Sequence, residues 1–332
     1  MRATHPVRHG VASEVEQADL STEASADVHH QATLLRAWDQ KYTQLRPGGF
    51  TGSVSTLRNG GVKLFCEEMN RAVFQMGALP PTKLAFGLPV RAAGRTYICG
   101  EEGTGHSLLV FSGSSGFEFL SPEDFEFYGI EIDTAAGDDD PVFLAMVRAL
   151  EEVITSSSRA IRLDGPRLRK LGRLLGATLS EEGIGERLLA WPDHAAAFNR
   201  GLVGWMLDML QAAPAEADSP PMRHWDTIAA IRQLVAQSSC CPSSVAELTV
   251  ELGVSRRTLQ NACQEIVGLS PVQYLRALRL SEARRMMEQS RSVTEVATQF
   301  GFWHLSYFAR DYHAMFGELP SKTLERVRAC QA

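Results

Sequence analysis

No apolar run in the chain approaches the roughly 18 residues that a membrane-crossing helix needs. The start, Met1 to His9, is polar and carries Arg and His, and no apolar stretch follows it that could act as a secretory leader. A cytoplasmic protein without a membrane partner is the expectation. Cysteine is scarce: Cys66, Cys99, Cys240, Cys241, Cys263 and Cys330 form no Cys-x-x-Cys pair, and no histidines stand at zinc-finger spacing. Neither a disulfide framework nor a zinc site is indicated, and reduced, mostly buried thiols are the expectation. A Gly-x-x-x-x-Gly-Lys phosphate loop is also missing, since Gly113-Ser114-Ser115-Gly116 lacks both the lysine and a following helix.

What is present is enough apolar material for two cores, with 44% hydrophobic residues in 332. The net charge of -6 argues at first against a nucleic-acid partner, but the average hides a division. Residues 222–332 hold 13 Lys and Arg against 10 Asp and Glu, whereas residues 1–221 hold 20 against 29. The basic share therefore sits at the C-terminal end.

Residues 1–28 have no hydrophobic period and read as a mobile tail. From Gly49 to about Asp133 short apolar or alternating runs (Gly52 to Leu57, Val62 to Glu67, Lys83 to Val90, Thr96 to Cys99, Ser107 to Phe111, Phe117 to Leu120, Phe125 to Ile132) are separated by turn signals such as Asn59-Gly60-Gly61. Many short strands with Gly-rich turns imply a small antiparallel barrel or sandwich over 29–140. Between 141 and 211 the spacing becomes helical, with Phe143, Met146, Val147, Leu150 and Val153, then Leu202, Val203, Met206, Leu207 and Leu210. These helices either cover the barrel or pair with a second subunit. Residues 212–221 form a Pro-containing spacer with nothing to bury, so the chain divides into a sensing and dimerisation domain at 29–211 and a helical domain at 222–332. The fold class is α+β, with all-α architecture at the C-terminal end.

The C-terminal part contains a near-repeat about 48 residues apart. In one copy Leu248-Thr249-Val250-Glu251-Leu252-Gly253-Val254-Ser255 leads into a helix near Arg256; in the other Val296-Ala297-Thr298-Gln299-Phe300-Gly301-Phe302 leads into a helix near His304. A small residue four before a glycine is what a helix-turn-helix needs, for close crossing of the helices and for a left-handed turn. On the helix after the first turn, Leu259, Ala262, Cys263 and Ile266 share one side, and Arg256, Arg257, Gln260, Asn261 and Gln264 the other. After the second turn, Leu305, Phe308, Tyr312, Met315 and Phe316 form the inner side, with Trp303, Ser306, Tyr307 and Arg310 outside. Arginine and amide groups match guanine and adenine edges in the major groove, so these outer residues are candidate base contacts. Pro271 to Gln289 reads as one helix joining the units, and Arg276 and Arg279 on it, with Ser255, are candidate phosphate contacts.

Residues 225–328 resemble the DNA-binding domain of AraC/XylS-type transcription regulators. The resemblance rests on Gly253-Val254-Ser255 with Arg257-Thr258-Leu259, on Gly268-Leu269-Ser270-Pro271 with Tyr274-Leu275, and on Gly301-Phe302 with Ser306-Tyr307-Phe308 and Gly317-Glu318-Leu319-Pro320-Ser321. It implies seven helices, two helix-turn-helix units and base contacts from Arg257, Gln260, Asn261, Ser306, Tyr307 and Arg310. Asn261, Cys263 and Thr249 depart from that family's frequent Arg, Phe and Ala. A narrower resemblance, to the family's regulators of ethanolamine utilisation, is carried by Arg256 to Ala262, by Gly301 to Leu305, and by Ala37 to Tyr42 with Gln44 to Gly48. It implies ethanolamine with adenosylcobalamin as effectors. The family also implies a cupin-like N-terminal barrel, a homodimer, contact with RNA polymerase, and activation by a small molecule.

The mouth of such a barrel is a natural pocket. His106 has no second histidine two residues away and no glutamate beyond, which disfavours a metal-dependent cupin enzyme. Trp38, Tyr42, Phe65, Phe74 and Phe86 either line the pocket or form core. The expectation is a non-enzymatic, promoter-binding regulator. An alkyl-accepting DNA-repair protein needs an activated cysteine, and a protein-binding helical module is the other rival.

Overall fold

A computed structural model describes residues 20–112, 116–136, 140–155, 158–180, 183–213, 224–237, 242–290 and 292–331. The N-terminal part runs β1 (Leu20–Ser25), α1 (Val28–Leu34), β2 (Asp39–Gln44), β3 (Gly52–Asn59), β4 (Val62–Met69), β5 (Val73–Ala78), β6 (Lys83–Arg91), β7 (Thr96–Ile98), β8 (Glu101–Gly103), β9 (Ser107–Ser112), β10 (Phe117–Ser121) and β11 (Phe125–Asp133). There follow α2 (Pro141–Thr155), β12 (Ala160–Arg162), α3 (Gly165–Leu179), α4 (Ile184–Leu189) and α5 (Pro192–Gln211). The strands make a seven-stranded sheet in the order β1-β3-β4-β11-β6-β9-β12 and a five-stranded sheet in the order β2-β5-β10-β7-β8. These are two facing sheets, and their hydrogen bonding does not close into one continuous barrel. That is the form the antiparallel fold takes here.

Period-two alternation sorts the side chains of the large sheet between two cores. On β4, Leu64 and Cys66 face α2, α3 and α5, while Phe65 and Met69 face the other sheet. Gly129 on β11 stands where a Cβ would lie 1.9 Å from Cζ of Phe65, so only glycine admits that ring. Between the sheets, Trp38, Phe65, Phe111, Phe117, Phe119, Phe125 and Phe127 pack ring against ring at 5.0–6.0 Å. Trp38, Tyr42 and Phe65 are core there, Phe86 is core under the helices, and Phe74 belongs to a third core shared with the C-terminal part. The helices of 141–211 therefore bury their apolar stripes on their own sheet.

Two expectations need correction. Residues 20–28 are not a tail: β1 pairs with β3 along its length, and Asp27 caps α1 through His29 N–H at 2.8 Å. Residues 1–19 lie outside the described residues, as do 214–221 of the expected spacer. The segment 141–211 is not wholly helical, because Ala160–Arg162 adds an edge strand beside β9.

The C-terminal part consists of α6 (Trp225–Gln237), α7 (Val245–Leu252), α8 (Arg256–Ala262) with a π-helical extension Cys263–Val267, α9 (Pro271–Met286), α10 (Val293–Gln299), α11 (Leu305–Phe316) and α12 (Pro320–Gln331). Its seven α-helices match the number that the family resemblance implies. It docks on the outer face of the five-stranded sheet, where Leu45, Ala72, Phe74, Tyr97 and Leu120 join Trp225, Ile228 and Ile231 in one core. Trp225 lies 5.5 Å from Phe74 and donates through Nε1 to Glu118 at 2.8 Å, and the Arg232 guanidinium sits 3.6 Å over the Phe74 ring.

Candidate nucleic-acid interface

Each unit is assembled from short-range signals that agree with one another. Ser244 caps α7 by accepting from Glu247 N–H, and Gly253 ends it at φ +62, donating to Thr249 and Val250 carbonyls. Ser255 then caps α8, accepting from Thr258 N–H at 3.0 Å. In the second unit Ser292 caps α10, Gly301 turns the chain at φ +71, and Phe302 N–H reaches the Ala297 carbonyl at 2.8 Å. Positive φ at both glycines is the left-handed turn that side chains with a Cβ resist. Ala297 is fully buried and permits the close crossing; Thr249, its counterpart, is half-buried and lines a surface groove instead.

The faces divide as the spacing predicts, with two exceptions. Arg256, Arg257, Gln260, Asn261 and Gln264 are exposed, and Leu259, Ala262, Cys263 and Ile266 are buried. Trp303, Ser306, Tyr307 and Arg310 are exposed, and Phe308, Tyr312, Met315 and Phe316 are buried. Leu305, placed by the spacing on the inner side, is exposed because it is the first residue of α11 and lies before the helix turns inward. Gln264 lies on the π-helical extension, where the 100° step no longer holds.

The second exception is Arg279. It is 8% exposed, donates through Nε to the Phe300 carbonyl at 2.7 Å and through Nη1 to the Ser243 carbonyl at 3.2 Å, and stacks 4.4 Å over Phe302. A Cβ at Gly301 would lie 2.9 Å from its Nη2. A guanidinium so held has Nε and Nη1 engaged by main-chain carbonyls, although it also lines the groove between the units; it ties the turn of the second unit to the approach of the first. Spacing on α9 could not reveal this, because the carbonyls it satisfies come from α10 and from the segment before α7. Arg276 keeps half its side chain exposed while pairing with Asp311 at 2.5 Å. Arg310 stacks 5.0 Å over Tyr307 and also reaches Asp311, the same carboxylate that Arg276 pairs. Glu265, on the extension of α8, is engaged by His224 at 2.7 Å.

The result is a surface of exposed arginines, amides and aromatics on two glycine-turned helices, connected by a continuous helix and Arg279. Between them Arg256, Val272, Arg276, Trp303 and Tyr307 line an open groove of about 720 Å³. The thiols point away from alkyl-acceptor chemistry. Burial pushes Cys66 and Cys99 up and Cys263 up to about 12, opposite to the activation a nucleophile needs. Cys240, Cys241 and the Cys330 side chain lie outside the described residues.

Comparison with known proteins fits this geometry. Residues 248–326 match a family model described as a helix-turn-helix domain. The chain is 37% identical over 90 residues to a probable thc operon regulatory protein of Rhodococcus erythropolis, covering 26% of this chain and 27% of that protein. It is 38% identical over 88 residues to a XylDLEGF operon transcriptional activator of Pseudomonas putida, covering 25% and 26%. With the regulator GbdR of Pseudomonas aeruginosa it shares 31% identity over 153 residues, 46% of this chain and 37% of that one. The matches thus span about a quarter to a third of the length of these relatives. Among solved structures, a probable AraC family regulator from Rhodopseudomonas palustris aligns with 31% of this chain and 97% of its own at 32% identity and TM-score 0.28. The AraC-like activator CuxR aligns with 80% and 96% at 15% identity and TM-score 0.43. Residues 248–326 of this chain are a helix-turn-helix domain.

Proposed function

We propose that the chain is a transcription regulator that binds a promoter site as duplex DNA through both helix-turn-helix units, under control of a small molecule sensed by its N-terminal domain. The observation that carries this reading is the pair of exposed recognition faces, Arg256, Arg257, Gln260, Asn261 and Gln264 on one and Trp303, Ser306, Tyr307 and Arg310 on the other, fixed relative to each other by α9 and Arg279. A continuous helix lets the two faces address successive major grooves on one side of a duplex. Ser255 and Arg276 are the phosphate contacts of this proposal. A homodimer doubles the contacts through raised effective concentration, and RNA polymerase is the partner that bound DNA would bring near.

Control follows from the shared core. The five-stranded sheet touches both halves of the DNA-binding domain: Arg46 donates to the Gly268 carbonyl at 3.0 Å near the first unit, and Gln44 Nε2 to the Met315 carbonyl at 2.7 Å in the second. A ligand that displaces the strand and loop carrying Gln44 and Arg46 would shift both units together. Ethanolamine is the small molecule that the narrower resemblance implies. Adenosylcobalamin, its implied companion, does not fit between the sheets, where aromatic rings fill the space at van der Waals separation. Depressions of about 380 and 260 Å³ lie on the N-terminal domain and suit smaller molecules.

The test is selection of bound sequences from a random duplex pool, followed by affinity measurement on the selected site and on a scrambled one. Arg310→Ala is expected to weaken the selected site by roughly 1–3 kcal/mol and the scrambled one little. Equal weakening on both would make Arg310 a phosphate contact, and no selection at all would remove the proposal.

A further inference from the structure

We propose that the second unit reads thymine by its methyl groups, through an apolar wall made of Trp303, Tyr307 and Val272. The inference rests on the DNA-binding reading and adds which base edge this part of the surface accepts. Trp303 is 74% exposed, Val272 60% and Tyr307 56%, and all three line the groove between the units. They come from different elements, the turn before α11, α9 and α11 itself, so their convergence is a product of the tertiary fold and not of one helix's spacing.

The chain beneath Trp303 is anchored, and Tyr307 is packed on two sides. Trp303 follows Phe302, which is buried, hydrogen-bonded through its N–H to Ala297 and packed on Phe308 at 5.0 Å. Tyr307 is flanked by the His304 ring at 5.8 Å and by the Arg310 guanidinium at 5.0 Å. Large apolar side chains left bare are costly in solvent, and a partner that covers them recovers that energy.

Charge selects the partner. Arg256 and Arg276 line the same groove, and Arg310 stands at its edge on Tyr307. An apolar wall bordered by guanidinium groups on a helix shaped for the major groove meets a surface of phosphates and base edges. Among the base edges exposed there, the 5-methyl of thymine is the apolar group; the others present donors and acceptors that an indole face and a valine cannot satisfy. Tyr307 and Val272 then exclude water from the methyl that Trp303 covers, and Arg310, stacked on Tyr307 and mostly exposed, exchanges its 3.4 Å contact with Asp311 for an adjacent guanine.

The experiment uses the full chain and the duplex it selects from a random pool. Each thymine of that site is replaced singly by deoxyuridine, which removes the methyl and leaves pairing unchanged. At one or two positions under the second unit the replacement is expected to weaken binding about threefold to fivefold, the factor that goes with one buried methyl. Trp303→Ala should bind thymine and deoxyuridine equally at those positions, and Trp303→Phe should keep part of the difference. Unchanged melting of both variants is expected from the exposure of Trp303 and checks that the domain is intact. Equal binding of thymine and deoxyuridine by the unmodified chain at every position overturns the inference, as does a full methyl effect that survives in Trp303→Ala and points the wall toward a protein. Failure to select any sequence would instead remove the DNA reading of the whole domain, and this inference with it.

Discussion

Asp27 is the residue whose removal most directly tests whether the two domains act as one body. Its carboxylate caps α1 and crosses to the helix-turn-helix domain, where Oδ2 lies 2.6 Å from Nη2 of Arg284 and 2.8 Å from Nη2 of Arg326. The Arg284 side chain is 4% exposed, pairs with Glu318 at 2.6 Å, donates to Tyr312 at 3.1 Å and lies 4.6 Å over Phe316. Breaking a buried pair by neutralising one partner costs roughly 3–5 kcal/mol. Glu318 continues to hold Arg284, so Asp27→Asn is expected to cost less, about 2–3 kcal/mol, with the helix cap preserved because asparagine caps as well as aspartate. Asp27→Ala loses the cap too and should cost about 1 kcal/mol more. Urea unfolding at pH 7 reads both differences. Burial alone would raise the Asp27 carboxyl, but the Arg284 guanidinium, helped by His29, outweighs it and holds the carboxyl well below its ordinary value of 3.8. Its folded value is depressed, so the stabilisation is complete above that ordinary value and fades as pH falls below it. The gap between the native chain and Asp27→Asn should accordingly close in acid. Equal midpoints for the two at pH 7 would refute the reasoning.

Two further outcomes are expected. Glu67, buried between the sheets and hydrogen-bonded by Gln31 and Tyr42, is pushed up to about 7 by desolvation. A raised carboxyl contributes stability below its unfolded value and loses it as pH rises through the folded one, so Glu67→Gln should raise stability at pH 8 by up to about 3 kcal/mol and by almost nothing at pH 4. Thermal melts at the two pH values measure this, and a uniform gain at both would contradict it. Arg279→Ala should lower stability by about 2–3 kcal/mol because the buried Phe300 carbonyl and the part-buried Ser243 carbonyl lose their donor. The salt slope of DNA binding should stay unchanged, whereas a slope reduced by about one would restore Arg279 as a phosphate contact.

Much of the C-terminal domain was legible because its signals are local. Glycines at 253 and 301 and the apolar spacing of Leu259, Ala262 and Phe308 each act within one or two turns of helix. Strands with strong alternation, such as Val62–Met69 and Phe125–Asp133, were legible for the same reason. Less visible were the edge strands Leu20–Ser25, Asp39–Gln44 and Ala160–Arg162 and the short interior strand Val73–Ala78, whose formation depends on partners far away in sequence. The docking of the two domains was invisible as well. Phe74 and Tyr97 look like barrel core until Trp225 and Arg232 are seen against them, and Asp27 reads as tail until Arg284 reaches it. Buried arginines mislead in the same way, since Arg279 carries the right charge on the right helix and is claimed by carbonyls from outside it.

The central claim is that two recognition faces, held at a fixed separation, grip one duplex together. The most direct measurement is the affinity of the full chain for its selected site and for the same site with five base pairs inserted between the two contacted segments. Five base pairs turn one segment to the opposite side of the helix, so a pair of units fixed by α9 and Arg279 should lose a factor of about 100 or more, falling toward nonspecific binding. Equal affinity for both duplexes would contradict the account, because it would mean that only one unit reads DNA or that nothing holds the two in register.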